Sequence, residues 1–151
     1  MSRFQIINNE IVLDKETGLQ WTKNYVIEKT WDQAQEYCNE LNAQRYGGFS
    51  DWRVPTIAEL ITLIDFERRG PASSFPDMPS KTFWSSSSYA NITANAWYVS
   101  FAHGNVNNAH KTNVFAARCA RGGPLVLGSQ DKKKRKKEVP LSFSQLRLRR
   151  F

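Results

Sequence analysis

Asp51-Trp52-Arg53-Val54-Pro55-Thr56-Ile57-Ala58-Glu59-Leu60 is the stretch on which the reading of this chain turns. Thr56, just after Pro55, is placed to cap a helix, and Glu59 three residues on completes a capping box. Leu60, Ile61, Leu63 and Ile64 follow as its buried side. Glycine and proline at Arg69-Gly70-Pro71 then stop the helix, which is predicted to run from Thr56 to about residue 69. Trp52 reads as a core residue. Arg53 reads as a loop anchor held by a carboxylate such as Asp51 or Glu59.

Toward the N-terminus, Thr30 and Gln33 form a second capping box. Trp31, Ala34, Tyr37, Cys38 and Leu41 recur at helical spacing and give one apolar face, so a helix is predicted that ends before Tyr46-Gly47-Gly48. Residues 4–22 read as short strands, with turns at Asn8-Asn9 and at Asp14-Lys15-Glu16-Thr17-Gly18.

Toward the C-terminus, three prolines within residues 71–79 mark a loop. Strands are then predicted at Phe83-Trp84-Ser85, at residues 96–101 and at residues 115–121. In the second, Trp97, Val99 and Phe101 share a face. In the third, Phe115, Ala117 and Cys119 share one face and Arg118 points the other way. Gly122-Gly123-Pro124 closes the domain. Two helices flanked by strands from both chain ends give an α+β domain in which the first and last strands pair.

The net charge of +7 is a property of the tail. Residues 1–121 hold 12 Lys/Arg and 12 Asp/Glu, whereas residues 122–151 hold 9 and 2. The run Lys132, Lys133, Lys134, Arg135, Lys136, Lys137 repels itself and is expected to be flexible. It is also a candidate contact for nucleic acid or another polyanion. No run of eighteen apolar residues is present, so no membrane span is expected. The first ten residues lack an apolar signal core, which makes cytoplasm the default compartment, with a phage particle or cell surface as alternatives. Cys38 and Cys119 fit no metal or redox motif. Both point inward, and two readings stand: a bridge closing a long loop, or two buried thiols in a reducing cytosol.

Several spaced motifs, in order, carry a resemblance. They are Asp14…Thr17-Gly18-Leu19…Trp21, then Trp31…Ala34…Tyr37-Cys38…Leu41, then the stretch at residues 51–60. Phe83-Trp84-Ser85-Ser86-Ser87, residues 96–101 and Arg118-Cys119-Ala120-Arg121 complete the set. Over roughly residues 10–122 the chain resembles the C-terminal domain family of the Legionella collagen-like adhesin. That resemblance implies a branch of the C-type-lectin fold related to formylglycine-generating enzymes. It further implies a bridge from Cys38 to Cys119 and adhesive, ligand-binding roles. Some members are targets of diversity-generating retroelements, which scatter substitutions across asparagine codons. The implied organisation is a lectin-like ligand-binding domain at residues 1–123 and a basic tail at residues 124–151.

The residues add a hint of their own. Six of the eleven asparagines fall within residues 91–113. Asparagine supplies a donor and an acceptor, and tyrosine adds amphipathic area at low entropic cost. Tyr89, Asn91, Asn95, Tyr98, His103, Asn105, Asn107, Asn108, His110, Asn113 and Phe115 are therefore the candidate contacts. An ordinary polar loop is the competing reading, since asparagine favours turns. His103 and His110 have no cysteine or clustered carboxylate beside them, and the Glu-Pro-Asn and Trp-Asn-Asp signatures of calcium-dependent sugar-binding lectins are missing, so no metal, calcium or other cofactor is expected. Neither a Ser-His-Asp order nor an activated thiol is evident, so the protein is not expected to be an enzyme. Asn91-Ile92-Thr93 matches a glycosylation acceptor. The expected function is binding of a protein or glycan partner, with homo-oligomers possible. The alternatives are a polyanion-binding accessory protein acting through the tail and a divergent relative of the formylglycine-generating enzymes.

Overall fold

The computed structural model describes residues 2–122. The lysine-rich run at residues 132–137 lies outside them, as does the rest of the tail.

The decisive stretch begins as its residues dictate. Thr56 is extended; its Oγ1 accepts the Glu59 N–H at 3.2 Å and Glu59 Oε1 accepts the Thr56 N–H at 2.9 Å. The helix that follows, α2, spans only Ile57–Ile61, which corrects the expectation of a helix reaching residue 69. Leu63 and Ile64 bond three residues back, Thr62 Oγ1 donates to Glu59 O at 2.6 Å, and the Asp65 N–H turns away to Ala72 O at 2.8 Å. Tight turns of this kind still bury apolar side chains, and Leu60, Leu63 and Ile64 all reach the core.

Helix α1 spans Trp31–Ala43 with the expected Thr30–Gln33 capping box, and it buries Ala34, Cys38 and Leu41. Trp31 and Tyr37 are only partly buried. Gly47 follows in the left-handed region (φ 63), and a Cβ there would meet Ile11 Cδ1 at 2.7 Å. Only glycine fits that turn.

The first sheet holds β1 (Phe4–Ile7), β2 (Ile11–Asp14), β3 (Gln20–Thr22) and β9 (Ala120–Arg121), antiparallel in the order β1-β2-β3-β9. Asn8 and Asn9, with φ of 42° and 65°, belong to the three-residue loop between the paired Ile7 and Ile11, and asparagine tolerates the left-handed conformation there. The last strand therefore pairs with β3, and β1 and β9 lie at opposite edges. This corrects the expected direct pairing of first and last strands. The tight hairpin already uses the inner edge of β1, so closure comes one hairpin later.

The second sheet holds β4 (Val26–Lys29), β5 (Thr82–Ser88), β6 (Asn95–Ser100), β7 (Asn105–His110) and β8 (Phe115–Ala117), in the order β4-β8-β5-β6-β7. Its pairs are antiparallel except β5–β8, which is parallel at Phe83↔Ala116. The segment at residues 115–121, expected as one strand, is two: β8 belongs to this sheet and β9 to the other. Arg118 and Cys119 make the crossing.

Two apolar clusters fill the interior. One gathers Trp21, Leu60, Phe75, Phe83, Val99 and Phe101; the other gathers Ile11, Trp52, Trp84 and the two cysteines. Cys38 and Cys119 are bonded, tying α1 to the crossing, and both are at least 98% buried. Arg118 does point the other way, but into the first cluster. It is 1% exposed, and its Nη1 donates to Thr22 O (2.7 Å) and Lys23 O (2.8 Å). Its guanidinium carbon lies 4.5 Å from the Phe75 ring centroid and 5.2 Å from that of Tyr25. Burial lowers its pKa to about 10, and burial likewise pushes the nearby Tyr37 phenol up to about 12.

Arg53 joins the decisive stretch to the chain end. Its backbone exchanges hydrogen bonds with Ala120 (2.9 and 2.8 Å), and its guanidinium forks onto Glu59 (2.7 and 2.9 Å). Asp51 instead pairs with Arg121 at 2.6 Å, and that hydrogen bond holds its carboxyl below the usual range. Among the described residues no helix is long and apolar enough to cross a membrane.

Candidate ligand-binding face

The β6–β7 hairpin is where the asparagines fall. Six residue pairs align it, from Asn95↔His110 to Ser100↔Asn105. At its turn the Gly104 N–H returns to Ser100 O at 2.8 Å, with Gly104 at φ 75. Among the described residues β6 alone pairs with β7, which places β7 at the edge of the sheet. An edge strand is a template for unwanted pairing. Here Asn107 Oδ1 accepts the Asn108 backbone N–H at 2.8 Å and occupies one such group.

Alternation along the strands sorts the candidate contacts. Asn95, Trp97, Asn108 and His110 share one face by register. Asn95 Nδ2 donates to Asn108 Oδ1 at 2.9 Å, locking the two amides together. Tyr89 stands beside Trp97, with ring centroids 5.1 Å apart and planes at 84°. Asn91 lies exposed in the β5–β6 turn, its Nδ2 3.4 Å from the Tyr89 hydroxyl. His110 Nδ1 lies 2.8 Å from Thr112 Oγ1 and 3.3 Å from the Thr112 backbone nitrogen, which holds the ring against the turn.

The other candidates are not part of this group. Tyr98, Asn105 and Asn107 lie on the opposite face of the hairpin. Tyr98 packs on Phe115 with centroids 5.0 Å apart, and Phe115 in turn packs on Trp84 at 4.7 Å. His103 is exposed in the β6–β7 turn, five or more residues along the strand from His110, or roughly 17–20 Å. Asn113 is exposed, and its Nδ2 donates to His110 O at 3.0 Å within the turn after β7.

Two residues of the face went unrecognised in the sequence. Trp97 reads as framework beside Val99, yet it is only partly buried whereas Val99 is fully buried. It sits at the outer end of the same strand face, past the edge of the core. Lys111 reads as a surface cation, yet it fastens the face to the frame. Its N–H bonds Ala94 O (2.9 Å), its carbonyl accepts the Trp31 N–H (3.1 Å), and its Nζ donates to Ser88 Oγ (2.8 Å) while lying 4.1 Å from the Trp31 ring centroid. The signal for Trp97 was its position beyond the asparagine-rich turn, with Tyr89 eight residues before it.

Apart from Lys111, the strands that build the face carry no acidic, lysine or arginine side chain. From Thr82 to His110 the sequence holds no Asp, Glu, Lys or Arg. A cleft of about 440 Å³ lies elsewhere, lined by Lys23, Asn24, Tyr25, Val26, Tyr37 and Asp77.

No curated protein matches the sequence. The family model described as the Lcl C-terminal domain matches residues 10–121, and the chain belongs to that family.

Proposed function

We propose that this protein is a non-enzymatic, adhesion-type binding domain that recognises a protein or glycan partner through the β6–β7 hairpin, without calcium. On this reading the two helices and two sheets are a branch of the C-type-lectin fold, and the hairpin is its variable surface. One observation carries the proposal. Six of eleven asparagines sit on or beside an edge hairpin whose amides are held by one another and by the backbone, over a core that does not use them. Mixed amide, hydroxyl and aromatic side chains on a rigid frame are the composition of an adaptable recognition surface. Family membership supports the same reading, because the matched residues include the whole hairpin. Diversification by a retroelement accounts for the asparagine density. A near-copy of the segment encoding residues 84–121, beside a reverse transcriptase and differing at template adenines, is the genomic sign expected of it.

The test is binding of the full chain to panels of immobilised proteins and glycans. The triple variant Asn107→Ala, Asn108→Ala, His110→Ala is expected to lose at least about tenfold in affinity, about 1.4 kcal/mol, while keeping its far-UV circular dichroism and a single cooperative unfolding transition. Unchanged affinity would overturn the proposal. A variant with alanines at the six basic positions 132–137 serves as the comparison. If binding vanishes there and persists in the hairpin variant, the protein acts as a polyanion-binding accessory through its tail.

A further inference from the structure

We infer that the ligand of the Trp97 face is a neutral saccharide, held by stacking on the Trp97–Tyr89 corner and by the locked Asn95–Asn108 amide pair. The inference rests on the binding-face reading above and names its ligand chemistry.

Three observations converge on it. First, the ring of Trp97 is partly exposed at the rim of the core and crossed nearly at right angles by Tyr89. Such a corner offers an apolar plane to the C–H face of a pyranose while leaving a phenolic hydroxyl at its edge. Second, the Asn95–Asn108 bond uses one donor and one acceptor. Asn108 Nδ2 also lies 3.4 Å from Asn107 Oδ1, which leaves Asn95 Oδ1 as an acceptor beside the second N–H of Asn108 Nδ2 as a donor. A sugar hydroxyl both donates and accepts, so two neighbouring hydroxyls match that pair, and the amides need little further ordering on binding. The His110 ring, on the residue opposite Asn95, adds a further polar group.

Third, the chemistry is uncharged throughout. The 29 residues from Thr82 to His110 contain no Asp, Glu, Lys or Arg. The nearest cation of the face, Lys111, is engaged with Ser88 and the Trp31 ring. A polyanion such as a sulfated glycan or nucleic acid is bound by cations that replace its counterions, and this face has none to spend. A protein partner needs a largely apolar centre to its interface. Beyond Trp97 and Tyr89, the apolar side chain offered near the turn is Ile92, 55% exposed. Amides outnumber apolar groups here, which suits hydroxyls better than a second protein.

The experiment is an array of neutral oligosaccharides, printed beside sulfated and sialylated ones and beside immobilised peptides, probed with the full chain. Binding to at least one neutral oligosaccharide is expected, changing less than about twofold between about 50 mM and about 1 M NaCl because no ion pair is made. Trp97→Ala and Asn108→Ala are each expected to lower it about tenfold or more, and the 132–137 alanine variant to leave it unchanged. Asn108 lies on the edge strand and is not in the core, so its variant keeps the test valid if Trp97→Ala unfolds. Absence of any neutral-sugar signal, or signal only on charged glycans that fades with salt, overturns the inference. A peptide ligand lost in Asn108→Ala would overturn the saccharide and leave the binding face standing. Sugar binding that ignores both substitutions would overturn the two together.

Discussion

The Arg53–Glu59 pair decides whether the stretch at residues 51–60 holds the chain end, and a double-mutant cycle measures it. Glu59 is fully buried and accepts from Arg53 Nη1 (2.7 Å), Arg53 Nη2 (2.9 Å) and the Thr56 N–H (2.9 Å). Arg53 differs: its side chain is 29% exposed, and Nη2 also reaches Gly122 O at 3.0 Å. The two single variants should therefore be unequal. Arg53→Met takes the cation away from a buried carboxylate that keeps the Thr56 N–H, the costly case, worth about 3–5 kcal/mol. Glu59→Gln leaves a guanidinium that can turn to water and an amide that can still accept the capping bond, so its cost falls to about 2 kcal/mol. The double variant has no buried charge left to compensate, so it should lose less than Arg53→Met alone, about 3 kcal/mol. The coupling is then about 3 kcal/mol. Urea unfolding followed by tryptophan fluorescence reads all four proteins, with equal m-values required for the comparison. A coupling under about 0.5 kcal/mol, or Glu59→Gln costing more than Arg53→Met, would refute the reasoning.

The bridge between Cys38 and Cys119 spans 81 residues of chain. In the chain-entropy model its removal costs about 4.5 kcal/mol. The double variant Cys38→Ala, Cys119→Ala should show that loss in urea, and a reductant should not weaken it further; a loss under about 1 kcal/mol would mean the constraint is not felt. Asp51 gives a prediction about pH. Arg121 lowers its pKa first by a hydrogen bond, so the stabilisation is complete above the ordinary aspartate value and is lost as pH falls through the lowered one. The carboxylate side is 60% exposed, so the effect is at most about 0.5 kcal/mol. Arg121→Gln should flatten that part of the acid limb, and an unchanged limb would remove Asp51 as its source.

Local chemistry was legible where it was self-contained. Both capping boxes, the Asn8-Asn9 turn, the inward cysteines and the α+β class could be read because each rests on a few neighbouring residues. What the sequence hid depended on distant partners. Strand β4 (Val26–Lys29) lacks an alternating pattern, because it pairs with β8 across an irregular register and Glu28 sits at φ 58. Strand β7 reads Asn-Val-Asn-Asn-Ala-His, a turn by composition, and is a strand because β6 supplies a full ladder. The helix after Thr56 was overestimated because apolar spacing continued past Ile61 while the backbone turned toward Ala72. Of the eleven candidate contacts, the strand register separates those beside Trp97 from those behind it. One sequence without β7 recognised as a strand contains no such register.

The same register explains why binding and folding need not compete here. A face built of amides would ordinarily be a poor sheet edge, since unpaired backbone groups and idle polar side chains both invite other chains. In this hairpin the idle groups attend to one another: Asn107 to the Asn108 N–H, Asn95 to Asn108, Asn113 to His110 O and Thr112 to His110. None of these bonds reaches the two apolar clusters, whose large members are Trp21, Trp52, Trp84, Phe83 and Phe101. Substituting a face asparagine therefore removes a local hydrogen bond worth about 0.5–1.5 kcal/mol and opens no cavity. Lys111 is the exception, because it holds the turn after β7 to Trp31 at the start of α1 through two contacts and to Ala94 and Ser88 through two more. A surface free to change at its asparagines and fixed at Lys111 is what separates a replaceable face from the frame that carries it.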